Sequence, residues 1–487
     1  MPKLTRREFM YGSLLAVSQF LAAVPGMSRD ASLAFRTAGE LAALLRNRDL
    51  SSVELTQYFI DRIERHDKKL NAVVVRDFDR ALEAARAADA ALARGEVAGP
   101  LHGLPMTIKE SYDLAGLATT WGDPADEKNI AKADAVVVAR LKRAGAHIMG
   151  KTNIPKDLDD FQSYNDIYGQ TNNPWDVTRT PGGSSGGAAA ALAAGMTGLE
   201  CGSDIGGSIR NPAHYCGVFG HKPSWGVVPS RGHTPPGVPK VPQEVDLAVL
   251  GPLARSAEDL ALALNVIAGP DLLAAQGWKL ALPKPRKKSL QGLRVALWPD
   301  DRVAPVDTEI ADRVVAVGDR LARLGATVSD SARPAFRIAS AHETYIRLLR
   351  AIIGSPAGNI DHRTWMRLNF RRGRFREQWR EFFMDWDVVL CPVAATTAFL
   401  HDHSDRRTRV MLVNGIRYSY WRQVFWAGLA TMPYLPATVF PTGLSKSGLP
   451  IGLQAIGAEF DDYTTIETAR MISHEFGGFR PPEGYGA

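Results

Sequence analysis

The chain has 487 residues, of which 45% are hydrophobic and 23% charged, and its formal net charge at pH 7 is +6. This composition is that of a folded globular protein and excludes an intrinsically disordered one. Its three cysteines are too few for a disulfide framework. The basic runs at 284–288 and 371–380 lack the interleaved stacking residues of a nucleic-acid-binding module, so no nucleic-acid partner is expected.

The first segment of the chain has the pattern of an export signal. Arg6 and Arg7 precede a mostly apolar run at 11–24, which is shorter than the roughly 20 residues that a bilayer crossing needs. The paired arginines resemble a twin-arginine signal, which exports folded proteins. We expect residues 1–34 to be a signal peptide and the mature protein to be periplasmic or secreted, with no stable membrane insertion after cleavage. A cytoplasmic helix with a chance arginine pair is the alternative.

The rest of the chain alternates predicted helices and strands. Amphipathic spacing, a capping box at Ser51–Glu54 and glycine stops predict helices at 37–46, 51–65, 77–94, 134–143, 187–196 and 307–324. Short apolar runs predict strands at 72–75, 105–108, 146–150, 294–297 and 326–328. Strand–helix–strand order indicates an α/β fold, in which helices cover the faces of a sheet that has a parallel component.

Lys109 is a candidate general base. It follows the apolar stretch Pro105–Ile108 and precedes Glu110. Burial at the end of a strand lowers the pKa of a lysine, and a neutral amine can accept a proton near neutral pH. Taken by itself, the pattern leaves open an exposed lysine paired with Glu110.

Two serines lie in glycine-rich turns. Ser184 occurs in Gly-Gly-Ser-Ser-Gly-Gly at 182–187, and Ser208 ends Asp-Ile-Gly-Gly-Ser at 204–208. Adjacent glycines let the backbone approach a substrate and turn several N–H groups in one direction, which suits the oxyanion of acyl transfer. For each turn alone, a tight bend with a buried serine is the alternative.

Other kinds of site have weaker support. The turn at Ser184 also matches the nucleophile elbow of α/β-hydrolases, but that motif requires a preceding strand and 172–181 is not strand-like. His401 and His403 form the only dense group of metal-ligand residues, and no third ligand is marked, so we expect no metal and no organic cofactor. Cys216 lies in an apolar run and is expected to be a buried thiol, although a bridge to Cys201 is the alternative.

The motifs in chain order resemble those of the amidase signature family. The similarity extends from about residue 37 to about 465 and includes Gly150–Asn153, Tyr168–Trp175 and Gly448–Gln454. This resemblance implies one domain at 35–487, with a mixed central β-sheet covered by α-helices on both faces. It also implies a Ser–cis-Ser–Lys triad that needs no cofactor.

The resemblance assigns a role to each motif residue. Ser208 would be the nucleophile, Ser184 the bridging serine after a cis peptide bond, and Lys109 the base. The oxyanion hole would consist of the backbone amides of Ile205, Gly206, Gly207 and Ser208, and Ser185, Asp204 and Arg210 would support the site. Glu110 stands where this family often has aspartate.

The resulting hypothesis is an amidase that hydrolyses the C–N bond of a small-molecule amide through an acyl-serine intermediate. The alternative within the family is an amidotransferase A-type subunit, which acts with partner chains on mischarged tRNA. Five late aromatic residues are candidates for a pocket wall, for the core or for a homodimer face: Tyr418, Tyr420, Trp421, Phe425 and Trp426.

Overall fold

The computed structural model describes residues 33–354 and 358–486. The expected signal peptide therefore lies almost entirely outside the described residues. The strands are β1 (Val73–Arg76), β2 (Pro105–Lys109), β3 (His147–Thr152), β4 (Tyr164–Asn165), β5 (Gly169–Gln170), β6 (Glu200–Asp204), β7 (Phe219–Lys222), β8 (Val249–Ala254), β9 (Arg294–Leu297), β10 (Thr327–Ser329), β11 (Val388–Pro392), β12 (Val410–Val413), β13 (Ile416–Ser419), β14 (Ala437–Leu444) and β15 (Pro450–Ile456).

The α-helices carry the chain between these strands. They are α1 (Ala38–Asn47), α2 (Ser52–Leu70), α3 (Phe78–Ala93), α4 (Val136–Arg143), α5 (Gly186–Ala193), α6 (Arg210–Cys216), α7 (Ala257–Ile267), α8 (Ala274–Gly277), α9 (Thr308–Arg323), α10 (Ile338–Ile352), α11 (His362–Asp385), α12 (Val424–Thr431) and α13 (Asp462–Glu475). Every predicted helix and strand is confirmed, with ends displaced by a few residues. The largest displacement is in α2, which continues to Leu70 and ends at Asn71 in the left-handed region (φ 52°).

Two sheets organise the fold. The larger has eight strands in the order β10-β9-β11-β15-β14-β7-β8-β6. Its β10–β9 and β9–β11 pairs are parallel and the other pairs antiparallel, so the predicted mixed sheet with helices on both faces is confirmed. A second sheet has the order β1-β3-β2, in which β2 and β3 are parallel. The end of β2 thereby places Lys109 next to β6, the edge strand of the larger sheet.

Capping residues and apolar faces explain where the first helices form. Thr37 and Ser51 each accept a hydrogen bond from the amide three residues on, and Glu40 and Glu54 bond back to the cap amides. These reciprocal bonds satisfy donors that have no partner within the helix. The helix α5 differs because all eight of its residues are buried, as expected for an alanine-rich segment that crosses the core.

Candidate active site

Lys109 lies at the centre of a cluster of serine hydroxyls. Its side chain is fully buried, and its Nζ lies 2.7 Å from Ser184 Oγ, 2.9 Å from Ser185 Oγ and 2.9 Å from Ser203 Oγ. Desolvation lowers the pKa of Lys109 to about 7, although the nearby carboxylates of Asp204 and Glu200 raise it. The amine can therefore be neutral at a pH at which a surface lysine is fully protonated.

The alternative of an exposed Lys109–Glu110 pair is wrong. Glu110 is buried and accepts hydrogen bonds from the backbone amides of Thr120 and Trp121. Its charged neighbour is Lys151, whose Nζ lies 3.9 Å from Glu110 Oε1. Glu110 thus anchors the loop around Thr120 and does not pair with Lys109, whose amine hydrogen-bonds to serine hydroxyls.

The turn before α5 presents Ser184 and Ser185 to the lysine. The peptide bond between Gly183 and Ser184 is cis, as the resemblance implied. The backbone amide of Ser185 donates to the carbonyl of Ser208 at 3.0 Å, which fixes the two glycine-rich turns side by side. No strand occurs between Gln170 and α5 in this fully described stretch, so the nucleophile elbow of α/β-hydrolases does not apply.

Asp204 and Arg210 support the loop that carries Ser208. The carboxylate of Asp204 accepts hydrogen bonds from the amides of Gly207 at 2.9 Å and Ile209 at 3.2 Å. It also pairs with the Arg210 guanidinium at 2.9 Å, and both side chains are buried. Burial raises the pKa of Asp204, but the charge of Arg210 outweighs it and holds the pKa at about 2. The carboxylate is therefore ionised at any working pH.

The hydrogen bond from the Gly207 amide to the Asp204 carboxylate reduces the number of amides expected to form the oxyanion hole. An amide that donates to a buried carboxylate is already satisfied, so the donors proposed for a substrate oxygen are the amides of Ile205, Gly206 and Ser208. Tyr345 Oη donates to the Ile205 carbonyl at 2.7 Å and fixes the orientation of that peptide. Ile205 and Gly206 are half-buried, and Ser208 is 8% exposed. This loop is the part of the site that solvent can reach.

Two neighbours of Lys109 were not identified from the sequence as members of the cluster. Ser203 supplies the third hydroxyl on the amine, and Glu200 is a fully buried carboxyl group on the same strand. Desolvation raises the pKa of Glu200 to about 8, although Thr107 and Thr152 lower it. The sequence feature that could have identified Glu200 is its position as an acidic residue at the start of a run of small residues, directly before a glycine-rich turn.

The remaining candidate groups lie elsewhere or are buried. Cys201, Cys216 and Cys391 are free thiols in the interior, and burial raises the pKa of each, so the alternative of a Cys201–Cys216 bridge is wrong. Among the described residues, no group of three or more His, Cys, Asp or Glu side chains is arranged to hold a metal ion. In the same residues no helix has the length and apolarity needed to cross a membrane.

The sequence belongs to the amidase family. The profile of that family, Amidase, matches residues 54–352 and 339–466, and its members act on amide C–N bonds. The chain therefore has the amidase signature fold.

Similar proteins include enzymes of more than one activity. The A-type subunit of glutamyl-tRNA(Gln) amidotransferase from Moorella thermoacetica is 33% identical over 93% of this chain and 99% of its own length. Indoleacetamide hydrolase of Bradyrhizobium diazoefficiens is 34% identical over 91% of this chain and 86% of its own. A solved structure described as a vestigial complex that reveals the origins of an s-triazine catabolic enzyme is 28% identical, with a TM-score of 0.79 over 92% of this chain and 100% of that one.

Proposed function

We propose that residues 35–487 form one amidase domain that hydrolyses a small-molecule amide to an acid and an amine or ammonia. The observation that carries this proposal is the hydrogen bond of 2.7 Å between a fully buried lysine and Ser184. A desolvated amine whose pKa is about 7 is a suitable base for a serine hydroxyl near neutral pH.

We propose the following reaction for this arrangement. Neutral Lys109 accepts the hydroxyl proton of Ser184 while Ser184 accepts that of Ser208, and Ser208 Oγ forms a bond to the amide carbon. The negative charge that develops on the carbonyl oxygen is held by the amides of Ile205, Gly206 and Ser208. The relay returns the proton to the leaving nitrogen as the C–N bond breaks. A water molecule, deprotonated by the same relay, then releases the acid from Ser208.

The experiment that tests this mechanism compares three variants of the purified protein. Ser208→Ala should abolish turnover of any amide substrate, and Lys109→Ala should lower kcat by at least about 100-fold, the usual contribution of a general base. Lys142, whose ion pair with Asp134 lies at the surface, provides the control variant Lys142→Ala with unchanged turnover. A folded Lys109→Ala protein that keeps most of the wild-type rate would refute the mechanism.

An amidotransferase A-type subunit is the second candidate, because a relative with that name matches nearly the full chain. The two functions differ in what the isolated chain can do. Hydrolysis of a simple amide by this chain alone supports the amidase, whereas activity only with partner chains and mischarged tRNA supports the amidotransferase. A homodimer is compatible with either and is read from the mass of the protein in solution by light scattering.

We also propose that the protein is exported, because Arg6 and Arg7 precede an apolar run that is too short to span a membrane. Export would separate the enzyme from mischarged tRNA and so favours the amidase. The double variant Arg6→Lys, Arg7→Lys should accumulate in the cytoplasm with an intact N-terminal segment. Cell fractionation and N-terminal sequencing of the wild type test this, and recovery of an uncleaved wild-type protein in the cytoplasm would contradict it.

A further inference from the structure

The half-buried loop at Ile205 and Gly206 faces an apolar wall, which we define as Phe161, Trp225, Tyr345, Trp421 and Val424. A methyl group placed on Gly206 would lie 3.5 Å from Val424 Cγ2 and 3.9 Å from Tyr345 Oη. One placed on Gly207 would lie 4.0 Å from Phe161 Cε1. Phe161, Tyr345 and Val424 therefore lie close to the backbone that we propose stabilises the substrate oxygen.

Part of the apolar wall remains accessible. Trp225 and Trp421 are half-buried and pack on the hydrophobic cluster that also includes Ile205. Phe161 and Trp421 contact each other with ring centroids 5.8 Å apart. By contrast, Tyr420, Phe425 and Trp426 are buried and belong to the core, and the half-buried Tyr418 packs on a different hydrophobic cluster. Of the late aromatic residues, Trp421 is thus the one that belongs to this wall.

The acidic groups next to the apolar wall already have partners. Asp160 pairs with Arg409 at 2.8 Å and Asp246 pairs with Arg372 at 2.7 Å. A substrate with its own ammonium or carboxylate group would lose water here without gaining a counter-ion, and this loss is costly. An uncharged ring loses little and gains apolar contact area.

The opposite side of the site has little room. Lys109, Ser184 and Ser185 are each at most 1% exposed, and this is the side from which the proton reaches the leaving nitrogen. An aromatic ring has no room among these packed groups, so we expect it to lie on the half-buried side of the loop, toward the apolar wall.

We propose, resting on the amidase function proposed above, that the apolar wall selects uncharged amides that carry an aromatic ring. The ring packs between Trp421 and the Ile205 side of the loop, and this contact positions the carbonyl carbon at Ser208. Glutamine, which carries two charges on its acyl part, fits poorly.

The test measures ammonia release by the full chain from phenylacetamide, propionamide and L-glutamine, with Ser208→Ala as the blank. We expect kcat/KM for phenylacetamide to exceed that for propionamide by about 30-fold or more, the effect of burying a ring, and to exceed that for glutamine further. Equal Ser208-dependent rates on phenylacetamide and propionamide, or a preference for glutamine, would overturn the inference and leave the amidase function standing. Absence of Ser208-dependent cleavage of all three would overturn both.

Variants of the wall separate recognition from folding. Trp421→Ala should lower the ratio of kcat/KM for phenylacetamide to that for propionamide about tenfold, whereas Trp421→Phe should keep most of the preference. Trp365, an exposed tryptophan on α11, provides the control Trp365→Ala with an unaltered ratio. If Trp421→Ala is poorly folded, Trp225→Ala replaces it. An unchanged ratio in a folded Trp421→Ala or Trp225→Ala protein contradicts the proposal.

Discussion

Asp204 and Arg210 form a two-contact ion pair in the interior. Arg210 Nε lies 3.0 Å from Asp204 Oδ2, and Arg210 Nη2 lies 2.9 Å from Asp204 Oδ1. The same guanidinium also donates to the carbonyl of Ala427 and to the side chain of Gln454. The loop that carries Ser208 is thus tied through one carboxylate to α12 and β15, so loop geometry and core packing depend on each other.

Removal of this arginine should therefore lower both stability and activity. In Arg210→Met the Asp204 carboxylate stays buried without its partner, and we expect the free energy of unfolding to fall by about 3–5 kcal/mol. Urea denaturation measures the loss. The control is Arg380→Met, which removes an exposed ion pair with Glu377 and should leave the midpoint unchanged. Similar midpoints for the two variants would show that the pair does not hold the loop.

Activity should rise with pH through about 7. Below that pH Lys109 is protonated and cannot accept the proton of Ser184, and above it the amine is free, because desolvation lowers its pKa to about 7. A plot of log kcat/KM against pH should have a slope of about +1 on the acid side and bend near pH 7. The assignment of Lys109 as the base is contradicted if the acid limb bends near pH 4, where a carboxylate would titrate, or near pH 10, where an exposed lysine would.

Glu200→Gln should move this acid limb only slightly, and to lower pH. Desolvation raises the pKa of Glu200 to about 8, so near pH 7 only a minor fraction of this carboxyl is charged. That charge raises the pKa of Lys109, as does that of Asp204, and glutamine removes it while keeping the shape of the side chain. The matched control is Glu110→Gln, a buried glutamate whose charged neighbour is Lys151. Acid limbs that coincide in wild type and a folded Glu200→Gln protein would exclude coupling between the two residues.

Replacement of two helical glycines by alanine should change the stability of the protein in opposite directions. A Cβ on Gly187 in α5 would overlap the backbone nitrogen of Asn153 and lie 2.8 Å from the Ala72 carbonyl oxygen, so Gly187→Ala should destabilise the protein by more than about 1 kcal/mol. Gly373 in α11 has no atom within 4 Å of its Cβ position, and alanine there should stabilise by about 0.5–1 kcal/mol. Thermal unfolding of both variants tests the contrast, and a stable Gly187→Ala protein would contradict it.

Local signals in the sequence explain most of the fold that was predicted. The leucine spacing at 41–45, the capping box at Ser51 and the apolar run that ends at Lys109 are each contained within a few residues, and the corresponding elements lie where they were expected. The pairing of the strands was beyond such signals. The order β7-β8-β6 joins segments separated by loops of variable length, and only tertiary packing decides which edges meet.

The site was predicted unevenly for the same reason. Lys109 and Ser184 lie in marked motifs, and the motif order suggested that they belong together. Glu110 is held away from the Lys109 amine by contacts with Lys151 and Thr120, which no local motif marks. Glu200 belongs to no recognised motif. Its effect on the pKa of Lys109 arises only because β6 lies next to the end of β2 in the folded protein. The use of the Gly207 amide by Asp204 likewise follows from the shape of the folded loop.

Lys109 ends a strand of the three-stranded sheet, whereas Ser203 and Asp204 end the edge strand of the eight-stranded sheet. Neither sheet contains a relay of its own, so the amine and the hydroxyls meet only when the sheets dock. Recovery of enzymatic activity during refolding should therefore require the docking of the two sheets. A partly folded chain with native helix content stays inert toward amides until that docking is complete.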